Sequence, residues 1–482
     1  MPTAKLIIED EVNVRVKGLD PEAMSKAQEA LTFWVPGYIH MPAYKLGRWD
    51  GKIRLFKASG ATYLNLVDRI VDPLSQLGYD IEIQEDKRQT YDDLVEKIEF
   101  INELVVSEYE KDGKPIILWE HQVNAVNKGI ENGGGVLELA TGSGKTIICG
   151  VLSKIYSEVG NVVVIVPNID LVVQTQYTFK QIGIDAGMWY GEIKDRKTVT
   201  IATWQSLDHF PELFSGVMTV IVDEVHQAKA KVLNEMLSGP AANVPFRFGC
   251  TGTLPKEDLA RSQILAVLGE TIFTLRSWEL QHKNILAKAQ IYQMRLKDSK
   301  NKSYLVSCDH HETWSDELNW IFTDKDRVLY MAETIREVAN NMGNTLVLVQ
   351  YRKHGKILAE ALPEATSLDG RDKNRTEVYD KFNQGDNNVL ICTFGIASTG
   401  IDIPRIFNLI IIEPGKKFEK VMQTLGRGLR RTDDKTHLTV FDICGDSGLS
   451  KKHAATRRSL YKEAKQKFEI IEVEYKNVSS DS

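Results

Sequence analysis

Leu139-Ala140-Thr141-Gly142-Ser143-Gly144-Lys145-Thr146 is the stretch on which the reading of this chain turns. Glycines at 142 and 144 let the backbone pass close to a phosphate, and a helix opening near Lys145 adds the partial positive charge of its N-terminus to the same spot. Backbone amides from Thr141 to Gly144 would line the cradle, the Lys145 ammonium would neutralise the β and γ phosphates of ATP, and the Thr146 hydroxyl would ligate Mg2+. The usual G-x-x-x-x-G-K-[ST] pattern opens with glycine where this chain has Leu139. A Gly-rich turn beside an ordinary lysine is the bland alternative, but an apolar strand before the run and an apolar helix after it give the context that phosphate binding needs.

Outward from that loop, short β-branched runs alternate with helical patterns, which predicts an α/β fold with parallel sheets and crossover helices. Val136–Leu139, Val162–Val166, Val199–Ala202, Val220–Val222 and Phe246–Cys250 read as buried strands of one sheet. Thr345–Val349, Asn388–Cys392, Leu409–Ile412 and Leu438–Phe441 read as a second, with helices near Lys325–Asn340, Arg371–Phe382 and Phe418–Leu425. The expected layout is a small α+β N-terminal nucleic-acid-binding domain over 1–90, a linker helix over 91–114, a first sheet domain over 115–290 and a polar connection over 291–324. A second sheet domain over 325–449 and a basic helix and tail over 450–482 complete it.

Asp223-Glu224 follows the apolar run Val220-Ile221-Val222, so its carboxylates emerge at the carboxyl edge of the sheet that carries the phosphate loop. Asp223 would hold Mg2+ through its water shell, and Glu224 would polarise the attacking water as general base. Alone, the pair could be an acidic helix cap; the phosphate loop on the same sheet favours catalysis. Far downstream, Arg427 and Arg430 lie three apart after Gln423, on one side of a continuing helix, where they can reach a γ phosphate held by another domain. An arginine that stabilises phosphoryl-transfer charge is worth roughly a thousandfold in rate, whereas a solvated one adds little.

Taken in order, Trp119-Glu120-His121-Gln122, the phosphate loop, Pro167 with Leu171 and Gln174, and Ala202-Thr203-Trp204-Gln205-Ser206 resemble motor motifs of superfamily 2 helicases. The resemblance continues through Asp223-Glu224-Val225-His226, Thr251-Gly252-Thr253, Thr399-Gly400-Ile401-Asp402 and Gln423 to Arg430. It implies two RecA-like domains that bind ATP and Mg2+, with Gln122 reading the adenine, Gly400 and Asp402 linking nucleotide to nucleic acid, and Thr251 with Thr253 coupling hydrolysis to strand movement. It would place nucleic-acid contacts at Pro167, Gln174, Thr203, Gln205 and Thr393. The Thr-Gly-Thr variant is familiar among DNA-directed members and moves the expectation from RNA toward DNA.

In the N-terminal piece, Asp50-Gly51 between two short runs predicts a hairpin. Registering strands about it pairs Trp49 with Lys52, Gly47 with Arg54 and Lys45 with Phe56, and turns Leu46, Ile53 and Leu55 to the opposite side. Rings that stack on bases and cations that follow phosphate make Lys45, Trp49, Lys52 and Arg54 a candidate grip on DNA, set against a hairpin whose Trp49 simply packs inward. The segment Tyr44 to Leu55 also looks like the aromatic-basic opening of the UvsW-type helicases of bacteriophages. That implies unwinding and branch migration of forked or four-way DNA in replication, recombination or repair.

Composition bounds the rest. The 43% hydrophobic and 26% charged content is ordinary for a globular protein, and the N-terminus lacks a basic start followed by an apolar stretch, so membrane partnership and secretion are not expected and a cytoplasmic site is. Five scattered cysteines suit reduced thiols. Cys308, His310 and His311 lack a full ligand set, so no zinc is assigned. A net charge of −6 argues against an overall polyanion binder and leaves room for local basic surfaces. Lys451, Lys452, Arg457, Arg458, Lys462, Lys465 and Lys467 read as a solvated basic helix rather than a nucleic-acid path. The expected protein is a monomeric ATP-dependent DNA motor, with replication or recombination proteins as candidate partners. An RNA-remodelling helicase is the alternative; a P-loop kinase lacks a use for the second sheet, and a silent clamp would not need Lys145, Glu224 and Arg427.

Overall fold

The computed structural model describes residues 2–91, 98–101, 105–111, 114–208, 211–227, 230–297, 314–368, 372, 375–398, 403, 405–415, 435, 437–446 and 448–475. The chain forms two compact units, one of Met1–Leu139 with Ser143–Leu275 and the other of Arg276–Ser482 with Ala140–Gly142. Among the described residues no helix is long and apolar enough to cross a membrane.

In the first unit an eight-stranded sheet runs in the order Ile193–Lys194, Gly187–Tyr190, Val199–Thr203, Asn161–Val166, Val217–Val222, Phe246–Thr251, Gly134–Leu139, Thr271–Leu275. Every pair is parallel except the two-residue edge strand Ile193–Lys194. Continuous burial along Val162 to Val166 shows why these strands lack alternation: helices cover both faces of a parallel sheet, so both faces must be apolar. Five neighbouring strands end at, or one residue before, Thr203, Pro167, Asp223, Thr251 and the phosphate loop, so the motifs gather along one carboxyl edge.

The second unit holds an all-parallel seven-stranded sheet in the order Thr366–Ser367, Val389–Thr393, Thr345–Val349, Asn408–Ile412, His437–Gly445, Lys288–Lys297, Lys467–Glu474. Two expected boundaries therefore move. Lys288–Lys297, expected to straddle the end of the first domain and the polar connection, belongs to this sheet, and the C-terminal segment is not a bare basic tail, because helix Gly448–Glu463 leads into the edge strand Lys467–Glu474. Arg457 in that helix is buried, with both guanidinium edges on Asp442 at 2.8 and 2.9 Å, so the expectation of a wholly solvated basic face is corrected there.

The N-terminal piece is a sheet in the order Ala61–Tyr63, Asn13–Lys17, Thr3–Ile8, Asp80–Asp86, packed with helices Pro21–Ala30 and Asp68–Gln76. Asp20 caps the first helix, its carboxylate accepting from Ala23 N at 2.8 Å, with Pro21 in the first turn, where a missing N–H costs nothing. Val14, Leu66 and Ile70 lie in the same buried cluster as Leu265 and Val267 of helix Asp258–Leu268, so this piece shares one core with the first large sheet. Polar ties reinforce it: Arg69 Nη1 donates to Ser262 Oγ at 2.7 Å and Asn13 Nδ2 to Ser238 O at 2.9 Å.

The hairpin expected about Asp50-Gly51 is not formed. Pro42 opens a short helix, Pro42–Lys45, so no strand precedes the turn; Lys52–Arg54 instead pairs antiparallel with Thr32–Trp34, placing Trp34 opposite Lys52. Gly51 takes the expected positive φ of 80°, but Asp50 spends its carboxylate on Lys52 N and on Arg54. Leu46, expected under cover, is 63% exposed, while Phe56, expected beside Lys45, is fully buried. The linker helix is also revised: Val105–Lys111 and Lys114–Ile117 form a two-stranded antiparallel ribbon, and residues 92–97 lie outside the described residues.

Candidate active site

Helix Lys145–Tyr156 starts from Gly144 at φ 82°, preceded by Gly142 at φ 86°; these left-handed positions turn the chain from the strand Gly134–Leu139 into the helix. Gly144 provides no side-chain cap, so the first-turn N–H groups keep no side-chain acceptor. A side chain at Gly144 would also collide with Gln122, whose Nε2 would stand 2.2 Å from an added Cβ. Gln122 is buried beneath the loop: Nε2 donates to Ser143 O at 3.0 Å and Oε1 accepts from Trp119 N at 2.9 Å. His121 Nε2 lies 2.9 Å from the same Ser143 oxygen. The sequence singled out Gln122 for adenine; the fold spends its amide on bracing the phosphate loop, and gives His121 a share in that work that sequence reasoning missed.

Lys145 Nζ is 3.0 Å from Glu224 Oε1. Burial pulls the ammonium's pKa down, but the carboxylates of Glu224 and Asp223 outweigh it and hold it above the ordinary lysine range. Asp223 stays in the ladder, its N donating to Ile165 O at 2.8 Å, and its carboxylate accepts from Glu224 N at 2.8 Å. Burial, reinforced by the Glu224 charge and opposed by Lys145, pushes the Asp223 carboxyl up to about 7. Glu224 sits at φ 49°, a left-handed conformation that costs a non-glycine residue about 1–3 kcal/mol and that marks functional turns.

From Glu224 a polar chain runs on. His226 Nδ1 lies 3.4 Å from Glu224 Oε2 and 2.8 Å from Thr251 Oγ1, and Thr251 Oγ1 donates to Thr253 O at 2.9 Å. The Thr251 hydroxyl is within hydrogen-bond reach of both His226 and Thr253. The phosphate loop, the acidic box and the Thr-Gly-Thr turn are thus joined by His226, a residue to which the sequence reading gave no role. Beneath them Cys149 and Cys250 meet at 3.3 Å between sulfurs, both reduced and buried.

Elsewhere on this edge, Gln174 and Gln205 are exposed, and Gln205 Nε2 donates to Pro167 O at 3.4 Å. Thr203 is buried with its hydroxyl 2.9 Å from Ser206 Oγ, so its side chain is not presented to solvent. In the second unit Thr393 lines a cavity of about 450 Å³ with Arg352, Lys356, Ser367, Glu360 and Asp372. In the N-terminal piece Lys45 and Arg54 are exposed, Arg54 being paired with Asp50 at 2.5 Å, while Trp49 Nε1 donates to Lys52 O at 2.8 Å. Gly400, Asp402, Gln423, Arg427 and Arg430, with Cys308, His310 and His311, lie outside the described residues.

ATP and Mg2+ can be tested against these residues. Ser143 Oγ is buried without a hydrogen-bond partner, uncapped N–H groups face the loop, and Lys145, Thr146 and Asp223 bring an ammonium, a hydroxyl and a carboxylate to one end of the helix. This donor set fits a polyphosphate with a hard divalent cation.

Three family descriptions match in chain order: DNA helicase UvsW, N-terminal, over residues 4–84; type III restriction enzyme, res subunit, over 83–256; and helicase conserved C-terminal domain over 327–432. The ATP-dependent DNA helicase uvsW of Enterobacteria phage T4 is 24% identical over 483 residues, covering 94% of this chain and 93% of that protein. The DNA 3'-5' translocase XPB2 of Sulfurisphaera tokodaii is 24% identical over 368 residues, 67% of this chain and 81% of that one. Among solved structures, an ATP-dependent type ISP restriction-modification enzyme, LlaBIII bound to DNA, matches 86% of this chain and 36% of its own length with a TM-score of 0.58 at 14% identity, a likeness of fold. A UvsW N-terminal piece followed by both helicase segments, matched end to end by one phage helicase and joined to a sheet edge built for a nucleotide, makes this chain a UvsW-like helicase of superfamily 2.

Proposed function

We propose that the protein hydrolyses ATP to move along and unwind DNA, with forked or branched DNA as its substrate. The observation that carries this reading is the row of polar contacts from Lys145 and Glu224 to His226, Thr251 and Thr253, with Glu224 and His226 3.4 Å apart, which gives a nucleotide-dependent change at the phosphate loop a physical route across the sheet edge. The UvsW-like N-terminal piece and the DNA helicases that resemble the chain support DNA as the track.

In this reading Lys145 exchanges Glu224 for the phosphates, which frees the Glu224 carboxylate to accept a proton from the attacking water. Thr146 and Asp223 would hold Mg2+, which supplies charge neutralisation when bound; the Asp223 carboxyl must then be ionised, against its raised pKa. Glu224, relieved of Lys145, changes its hold on His226, and through Thr251 the Thr-Gly-Thr turn feels the state of the site. The reading assigns the adenine to Gln122, whose amide must first exchange Ser143 O and Trp119 N for the base, the γ phosphate to Gln423, Arg427 and Arg430, and the link between nucleotide and nucleic acid to Gly400 and Asp402. Gln174, Gln205, the Pro167 backbone and the Arg352, Lys356 and Thr393 cavity would follow the strand's phosphates.

The test is ATP turnover by the full chain against duplex, fork, four-way junction and RNA. Greatest stimulation by fork or junction DNA is expected. Preference for RNA would transfer the reading to RNA remodelling, and turnover indifferent to every nucleic acid would end it.

A further inference from the structure

Two tryptophans lie in the basic N-terminal segment, and the fold treats them differently. Trp49 is half-buried and spends its indole N–H on Lys52 O, whereas Trp34 is 52% exposed at the end of the strand Thr32–Trp34. Trp34 stacks on Tyr38 with ring centroids 4.5 Å apart, and Tyr38 meets Tyr44 edge-on at 4.8 Å. Gly51 lies under this ladder: an added Cβ would fall 2.5 Å from Tyr38 Cδ2 and 3.2 Å from Trp34 Cζ3, so bare backbone is what lets the two rings settle. Ile39, Met41 and Leu46 stand exposed in the same segment at 51%, 38% and 63%.

The segment is also positive. Between Thr32 and Lys57 it carries Lys45, Arg48, Lys52, Arg54 and Lys57 against Asp50 alone, in a chain whose net charge is −6. Stacked rings set in positive charge fit flat aromatic groups on a polyanion, which describes unpaired bases of a nucleic-acid strand better than it describes a protein surface. The Lys52 ammonium covers the Trp34 ring at 4.4 Å. An exposed cation–π contact is weaker than the stacking of a base on an aromatic ring, so an arriving base displaces the ammonium, which is then free for a phosphate.

We propose that Trp34 and Tyr38 form a stacking platform for the unpaired bases of a DNA strand at a fork, with Lys52 moving from ring to phosphate as the base arrives. The proposal rests on the DNA-motor reading and deepens it by naming where the opened strand is held.

Anisotropy binding of the full chain, without nucleotide, to forks whose unpaired arms carry either normal bases or abasic sites tests it. Wild type should bind the normal arms about ten-fold or more tightly than the abasic ones. Trp34→Ala with Tyr38→Ala should bind normal arms as weakly as abasic ones while keeping the salt slope of binding, because stacking releases no counterions. Gly51→Ala, which retains both rings but displaces them, should lose the same preference. A double variant that still prefers bases overturns the platform, as does an equal loss on fully paired duplex. Wild type that binds DNA yet ignores the bases refutes the platform alone; wild type that binds no DNA refutes the motor reading with it.

Discussion

Asp442→Asn should unsettle the second unit by an amount that can be worked from the contacts. The Asp442 carboxylate, with no exposure, accepts from Arg457 Nε at 2.9 Å, Arg457 Nη2 at 2.8 Å, Gln293 Nε2 at 2.8 Å and Tyr461 Oη at 3.2 Å. The amide keeps one carbonyl oxygen and loses the charge, so the buried Arg457 guanidinium loses its directly paired carboxylate and keeps only the field of Glu413, whose own carboxyl burial holds back from ionising. Removing one partner of such a pair costs about 3–5 kcal/mol, because the desolvation penalty of the survivor is no longer offset. Arg457 Nη1 also donates to Gly415 O at 3.1 Å, so the loosening should spread to the chain leaving the strand Asn408–Ile412. Native-state hydrogen exchange reads this locally: amides of His437–Gly445 should lose about 3 kcal/mol of protection, while those of Asn161–Val166 in the first unit serve as an internal reference. Replacing both charges, Arg457→Met with Asp442→Leu, should recover much of the loss, although Gln293 and Tyr461 then lack their acceptor. A loss below about 1 kcal/mol in the single variant would mean that water reaches Arg457 and that the pair is not the dry contact described.

Lys145→Ala should weaken ATP binding, whereas Glu224→Gln should bind ATP and fail to turn it over; isothermal titration beside single-turnover hydrolysis would show equal losses in both variants if the roles are misassigned. Thr251→Val breaks the link between His226 and Thr253, at about 1 kcal/mol per hydrogen bond, and should cut base pairs opened per ATP far more than hydrolysis itself; a proportional fall in both would deny coupling through this route. Burial raises the Glu413 carboxyl to about 7 from an ordinary 4.5, against the pull of Arg457, Ser450 and Gly445. A raised folded-state pKa stabilises below the unfolded value and is lost as pH climbs through the folded one, so Glu413→Gln should gain stability relative to wild type between about pH 4.5 and 7. Melting curves in which the two chains keep a constant gap across that window would contradict it.

Much of the fold is legible because parallel strands buried on both faces write themselves as unbroken apolar runs. Thr345–Val349 is read to the residue, and Asn161–Val166 within one. Lys288–Lys297 and Lys467–Glu474 escape the same eye: the first alternates polar with apolar residues, and the second is an edge strand left largely in water. Chemistry carried by backbone geometry is legible too, since Gly142 and Gly144 need their positive φ wherever the chain folds this way. What sequence leaves open is choice among equals. Nothing in the order of residues says that Arg457 among seven basic residues finds a buried carboxylate, or that Trp49 turns inward while Trp34 remains outside; those outcomes depend on Asp442 and on Pro42 opening a helix where a strand was expected.

The shared core of the N-terminal piece carries a consequence for how such a motor can be altered. Leu66 and Ile70 interlock with the helix Asp258–Leu268, so cutting the chain ahead of the phosphate-loop sheet would bare an oily wall and invite aggregation rather than yield a leaner engine. The part proposed to touch DNA is therefore no detachable cassette: trading it for another specificity would require re-cutting the helix it leans on, and strain arising at the fork would pass straight into the body that handles nucleotide.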